Sequence, residues 1–174
     1  MSTELSALLA AAFGSYAGGV PPAGYELTDH TLSNAEGLAI AVYRRRQTND
    51  FILAFRGTEP TSLADLATDA SMGWPQYEAS RPKIAKLIND LLAEGGRLDI
   101  TGHSLGGALA QFAAYDILRN ANQNERAQLL QRLSLTTWNA LGGVWGLTSN
   151  DTYDPTIVSD LQARHYFRSD DLVS

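Results

Sequence analysis

The chemistry in this chain starts from one serine and its neighbours. Gly102-His103-Ser104-Leu105-Gly106-Gly107 fits the pattern G-x-S-x-G. A serine raised on a tight strand-to-helix turn exposes its hydroxyl. The helix N-terminus behind it offers unpaired N–H groups and the positive end of a dipole to a developing oxyanion. Positions two residues either side must be small, because strand and helix close on each other there; Gly102 and Gly106 meet that need. With 15 glycines in the chain, the pattern alone also fits a glycine-rich turn holding an incidental serine. Its setting favours the nucleophile: the strand-like Leu98-Asp99-Ile100-Thr101 precedes it, and an apolar helix, Leu105 to Leu118, follows.

Acyl transfer by a serine needs donors for the oxyanion, a base, and an acid to orient the base. The N–H of Leu105, next after the serine, is the first donor. Arg56-Gly57-Thr58 leaves an apolar strand in a way that suits the second: Gly57 permits a sharp turn and Thr58 carries both an N–H and a hydroxyl. An ordinary strand exit reads the same way, and Arg56 is better suited to pinning the loop through a carboxylate than to touching substrate. Asp170 and Asp171, after the last strand, are the acid candidates, with a solvated loop pair as the alternative.

The elements that must position these groups are legible in outline. Leu5, Leu8, Leu9, Ala12 and Phe13 mark an amphipathic helix. Strands are expected at Gly37 to Tyr43, Phe51 to Phe55, Arg97 to Thr101, Leu135 to Trp138 and Arg164 to Phe167. Continuous apolarity in Phe51 to Phe55 suits a central strand covered on both faces. Helices are expected at Thr61 to Ala70, at Arg81 to Ala93 with Ser80 as cap, at Glu125 to Leu133, and from Asp154-Pro155 to Leu161. The glycine-rich stretch Asn139 to Gly146 lies between. The alternation of strand and helix from Phe51 onward is the pattern of a mostly parallel α/β sheet with helices on both faces.

Gly102 to Ala110, Gly-His-Ser-Leu-Gly-Gly-Ala-Leu-Ala, resembles the nucleophile motif of the class 3 lipases, the group that contains the fungal triacylglycerol lipases. Leu53 to Glu59 resembles that family's strand and oxyanion loop, followed by an acidic helix with Asp65 and Asp69. Thr136-Thr137-Trp138-Asn139-Ala140 and Ser169-Asp170-Asp171-Leu172-Val173 are similar to two further motifs, in the family's order. The resemblance implies an α/β-hydrolase-like fold and a single domain over residues 1–174. It implies Ser104 as nucleophile, Thr58 beside Leu105 as oxyanion donor, and Asp171 as triad acid with Asp170 as fallback. It also implies carboxylic ester hydrolysis through an acyl-enzyme, acylglycerols or phospholipids as substrates, and no metal or organic cofactor. Residues 59–80 would form an apolar lid that meets a lipid interface; a plain core-packing helix and loop is the other reading.

In that arrangement the histidine follows the acid, yet only three residues follow Asp171. His103 adjoins the serine, and its ring should point away across the turn. His165 stands six residues before Asp171. An extended six residues span roughly 20 Å, which puts His165 far down the last strand from the edge where Ser104 emerges. His30 precedes the core strands. All three read as structural. Either the domain's C-terminal part, with the base, lies beyond Ser174, or the chain is an altered hydrolase-like domain that binds lipid or protein without cleaving. An abrupt stop at the acid, rather than scattered loss of motif residues, favours the first.

Composition narrows the rest. The chain has 174 residues, 44% of them hydrophobic and 18% charged, a formal charge of −6, and no cysteine. A disulfide framework, a thiolate metal site and a cysteine nucleophile are excluded. Arg44-Arg45-Arg46 is the one cationic run, at a strand end, so nucleic acid is a poor partner. Met1 to Gly19 has no basic residue and carries Glu4, unlike a secretory signal, and no apolar stretch is long enough to span a bilayer. The expected location is cytoplasmic, or outside the cell by a C-terminal export signal.

Overall fold

A computed structural model describes residues 3–15, 20–57 and 73–167. A seven-stranded sheet organises the chain. Its strands are β1 (Tyr25–Leu27), β2 (Leu32–Ser33), β3 (Ala39–Arg45), β4 (Phe51–Phe55), β5 (Leu98–His103), β6 (Leu133–Trp138) and β7 (Gln162–Tyr166). The order is β1-β3-β4-β5-β6-β7, with β2 also on β3. Pairings up to β4 are antiparallel; β4, β5, β6 and β7 run parallel. The expected α/β architecture, mixed with a parallel heart, is what forms.

Side-chain alternation divides the core in two. Phe51, Leu53, Phe55, Leu98, Ile100, Leu133 and Leu135 point to one face. There they meet α2 (Trp74–Glu78), α3 (Arg81–Ala93) and α4 (Leu105–Asn120). Ile52, Ala54 and Trp138 point to the other, under α1 (Thr3–Gly14). Ala7, Ala11 and Ala12 let α1 lie close to the strands. Strand β4 is buried throughout, as its unbroken apolar run requires, whereas all five residues of β7 are exposed.

Several local expectations shift. Helix α3 forms with Ile84, Ile88, Leu91 and Leu92 buried, but Ser80 does not cap it; its hydroxyl accepts a hydrogen bond from Asn34 Nδ2 at 3.0 Å instead. Helix α5 runs Gln123–Leu130, two residues earlier than expected at its start, because Asn122 and Glu125 form a reciprocal capping box. The glycine-rich stretch after β6 contains a helix, α6 (Gly143–Asn150), held by burial of Leu147 against its glycines' weak propensity. Asp154 caps as expected, accepting from Thr156 N–H, but the turn it opens is a short 3₁₀ helix, Pro155–Val158. The helix expected at Thr61 to Ala70 lies outside the described residues.

Candidate active site

Ser104 sits between β5 and α4 with φ 55° and ψ −125°, a region costly for any residue with a Cβ. Its backbone is gripped from β6: Ser104 N–H donates to Trp138 O at 3.0 Å. Side chains at positions 102 and 106 have no room. A Cβ on Gly102 would run into the Gly106 carbonyl, and one on Gly106 into the Phe55 carbonyl. Strand, turn and helix therefore close on each other as the motif demands. Ser104 is 3% exposed, and its Oγ has no hydrogen-bond partner among the described residues. Leaving a buried hydroxyl unpaired costs about 1–3 kcal/mol.

Leu105 opens α4, so its N–H lies outside the helix's own ladder. A Cβ on Gly106 would also stand 2.8 Å from Gly57 N, which places the exit of β4 directly against the elbow. Arg56 N–H donates to Ala39 O at 2.9 Å and ties that exit to β3. Thr58, Asp65, Asp69, Asp170 and Asp171 lie outside the described residues.

The histidines are placed differently from one another. His103 packs on Phe13 of α1, ring centroids 4.7 Å apart. His30 lies in the β1–β2 turn, exposed. His165 corrects the expectation of remoteness. It pairs with Thr137, which pairs with Gly102, so it stands level with the serine motif, about 10 Å away across two strand spacings. The strand ends at Tyr166, and that places the histidine near the sheet's C-terminal edge. Its Nδ1 bonds Thr137 Oγ1 at 2.7 Å, and partial desolvation of its ring holds its pKa below the usual value. It lines an apolar cleft of about 240 Å³ with Leu135, Val144, Leu147 and Leu161.

The segment expected as lid or core packing divides. Residues 58–72 lie outside the described residues; Trp74 and Tyr77 pack edge-on against Phe112 of α4, so these two side chains belong to core packing. Sequence reasoning missed what anchors it. Tyr77 Oη donates to Asp116 Oδ2 at 2.6 Å, Arg81 binds both oxygens of Asp116 at 2.5 and 2.7 Å, and Arg81 and Arg119 both reach Asp151, at 2.8 and 2.9 Å. Burial, with Asp116 beside it, pushes the Tyr77 hydroxyl well above its usual pKa. No short motif announces a cluster drawn from four elements. Among the described residues no group of three or more His, Asp or Glu side chains could hold a metal ion, and no helix is long and apolar enough to cross a membrane.

Comparisons with known proteins agree with this fold. No curated protein matches the chain significantly. Among solved structures, a triacylglycerol lipase described as having a serine protease triad for its catalytic centre aligns with TM-score 0.71 and 18% identity, over 98% of this chain and 72% of that one. Lipase II from Rhizopus niveus aligns with the same values. The Rhizomucor miehei lipase–propeptide complex aligns with TM-score 0.62 and 15% identity; the match covers 98% of this chain but 60% of that one. At such identities the likeness is one of fold. Residues 20–135, about two thirds of the chain and including the elbow, match the model of the Tle-like phospholipase domain, and the chain belongs to that phospholipase-like family.

Proposed function

We propose that this domain hydrolyses carboxylic esters of lipids, acylglycerols or phospholipids, through a serine acyl-enzyme. Ser104 attacks the ester carbonyl. The N–H of Leu105 and Thr58 hold the oxyanion, and Asp171 orients a histidine base carried beyond Ser174. The alcohol leaves with a proton from that histidine, and water, deprotonated by the same group, releases the fatty acid. Within the segment 59–80, the residues that precede Gly73 meet the lipid surface.

The observation that carries the reading is the strained elbow with a buried, unpartnered Oγ at its apex. A merely structural serine in a tight turn gains nothing from that conformation, and neither does a lipid- or protein-binding domain that does not cleave. A fluorophosphonate probe tests it. The full-length protein is expected to label at Ser104 and to lose labelling in Ser104→Ala. Equal labelling of the two would leave the non-catalytic binding domain as the better account. The 174-residue chain alone is expected to label slowly, since a serine without its base is a weak nucleophile; fast labelling would place the base within these residues.

A further inference from the structure

We infer that Gln111 is a positioning residue that aims the Leu105 N–H at the oxyanion; the inference rests on Ser104 being the nucleophile. Helix α4 is buried from Leu105 to Leu118 except at Gln111, which is partly exposed. Its Nε2 donates to two carbonyls, Gly107 O and Leu141 O, each at 3.2 Å. The same two residues grip the nucleophile. Gly107 N–H donates to Ser104 O at 2.9 Å and Leu141 N–H donates to Ser104 O at 3.3 Å.

One carboxamide thus closes a ring that joins the elbow helix, the loop leaving β6 and the Ser104 carbonyl. That carbonyl and the Leu105 N–H belong to one planar trans peptide and point in opposite directions. Fixing the oxygen therefore fixes the donor, and with it the ψ of −125° at Ser104. Both acceptors are carbonyls, so the amide's orientation is determined by its partners.

The test is steady-state hydrolysis of a soluble short-chain ester by the full-length protein, beside fluorophosphonate labelling. Gln111→Met keeps length and removes both donors. Its kcat is expected to fall about tenfold, less than outright loss of an oxyanion donor, with KM nearly unchanged. A kcat within twofold of wild type, or a loss confined to KM, would overturn the inference. Gln111→Glu decides independently if the Met variant does not fold. Ionised, it repels both carbonyls; protonated, it donates to one. Its kcat relative to wild type should rise from about pH 8 to about pH 5 as the carboxyl approaches its pKa, and a flat ratio counts against positioning. Comparison of wild type with Ser104→Ala labelling involves no change at Gln111. If those two do not differ, the serine reading itself fails and takes this one with it.

Discussion

Helix α4 begins and ends under opposite rules. At its N-terminus the backbone of Ser104 is strained, its hydroxyl has no partner among the described residues, and Gly102 and Gly106 leave no side chain to pack. Three turns on, Asp116 is 4% exposed and both its oxygens are bonded by Arg81, with Tyr77 adding a third donor. Strain and an unpaired hydroxyl each cost about 1–3 kcal/mol. They persist where the rest of the helix over-determines its position: packing on both β4 and β5, a hydrogen bond from α2, and charged pairs to α3 and the end of α6. The difference separates a strained end, whose features oppose stability, from an anchoring end, whose features supply it.

The sharpest way to break this contrast is Ser104→Gly. Activity of the full-length protein should fall by about 10⁴-fold or more, the order seen when a serine nucleophile is removed. Stability should rise by about 1 kcal/mol, because glycine adopts φ 55° without the penalty. Hydrolysis rates and urea midpoints measure the pair. A variant that loses activity and also stability would mean the elbow is not strained in solution.

Asp116→Ala works from the other end. It leaves the Tyr77 hydroxyl without its acceptor and the Arg81 guanidinium with only Asp151 and Glu78, and the expected loss is about 3 kcal/mol. This sits at the low end for breaking a buried pair, since Arg81 is 22% exposed and water reaches it. Asp116 is about 18 Å along the helix from Ser104, so labelling of Ser104 in the folded variant should keep its wild-type rate. A slower rate at unchanged fold would show that the two ends are coupled.

The same contrast explains what could be read from sequence. The elbow is local: a strand, a glycine, a serine, a glycine and a helix lie within about a dozen consecutive residues, and each is constrained by the next. Continuous apolarity marked β4 as central for the same reason. The anchoring cluster joins Tyr77, Arg81, Asp116, Arg119 and Asp151, which are as far apart as 74 positions. Its polar residues look like any helix surface until α2 and α3 are folded onto α4. The helix α6 was hidden because its glycines argue against it and only the burial of Leu147 argues for it. His165 was misplaced because residue counting fixed its distance from Asp171 but not where its strand stops.

Two carboxylates carry the comparison into pH. Burial alone would raise the Asp151 carboxyl, but hydrogen bonds from Arg119, the Thr152 N–H and Arg81 outweigh it and bring its pKa to about 2. A depressed pKa means a contribution present above the unfolded value of about 4 and lost as pH falls through that window toward 2. Asp99, on the α1 face of β5, has the opposite sign. Burial raises its pKa, and the hydrogen bond from Ser134 Oγ only partly offsets this. Its contribution is therefore present in the protonated form and lost as pH rises from about 4 through the raised value. Urea midpoints measured across acid pH should show both slopes. Asp151→Asn should flatten the fall below about pH 4, while Asp99→Asn should remove a loss above it and leave the protein no less stable at neutral pH. If Asp99→Asn lowers neutral-pH stability instead, the ionised carboxylate is held by more than Ser134, and the α1 face is an anchor of the same kind as the Asp116 cluster.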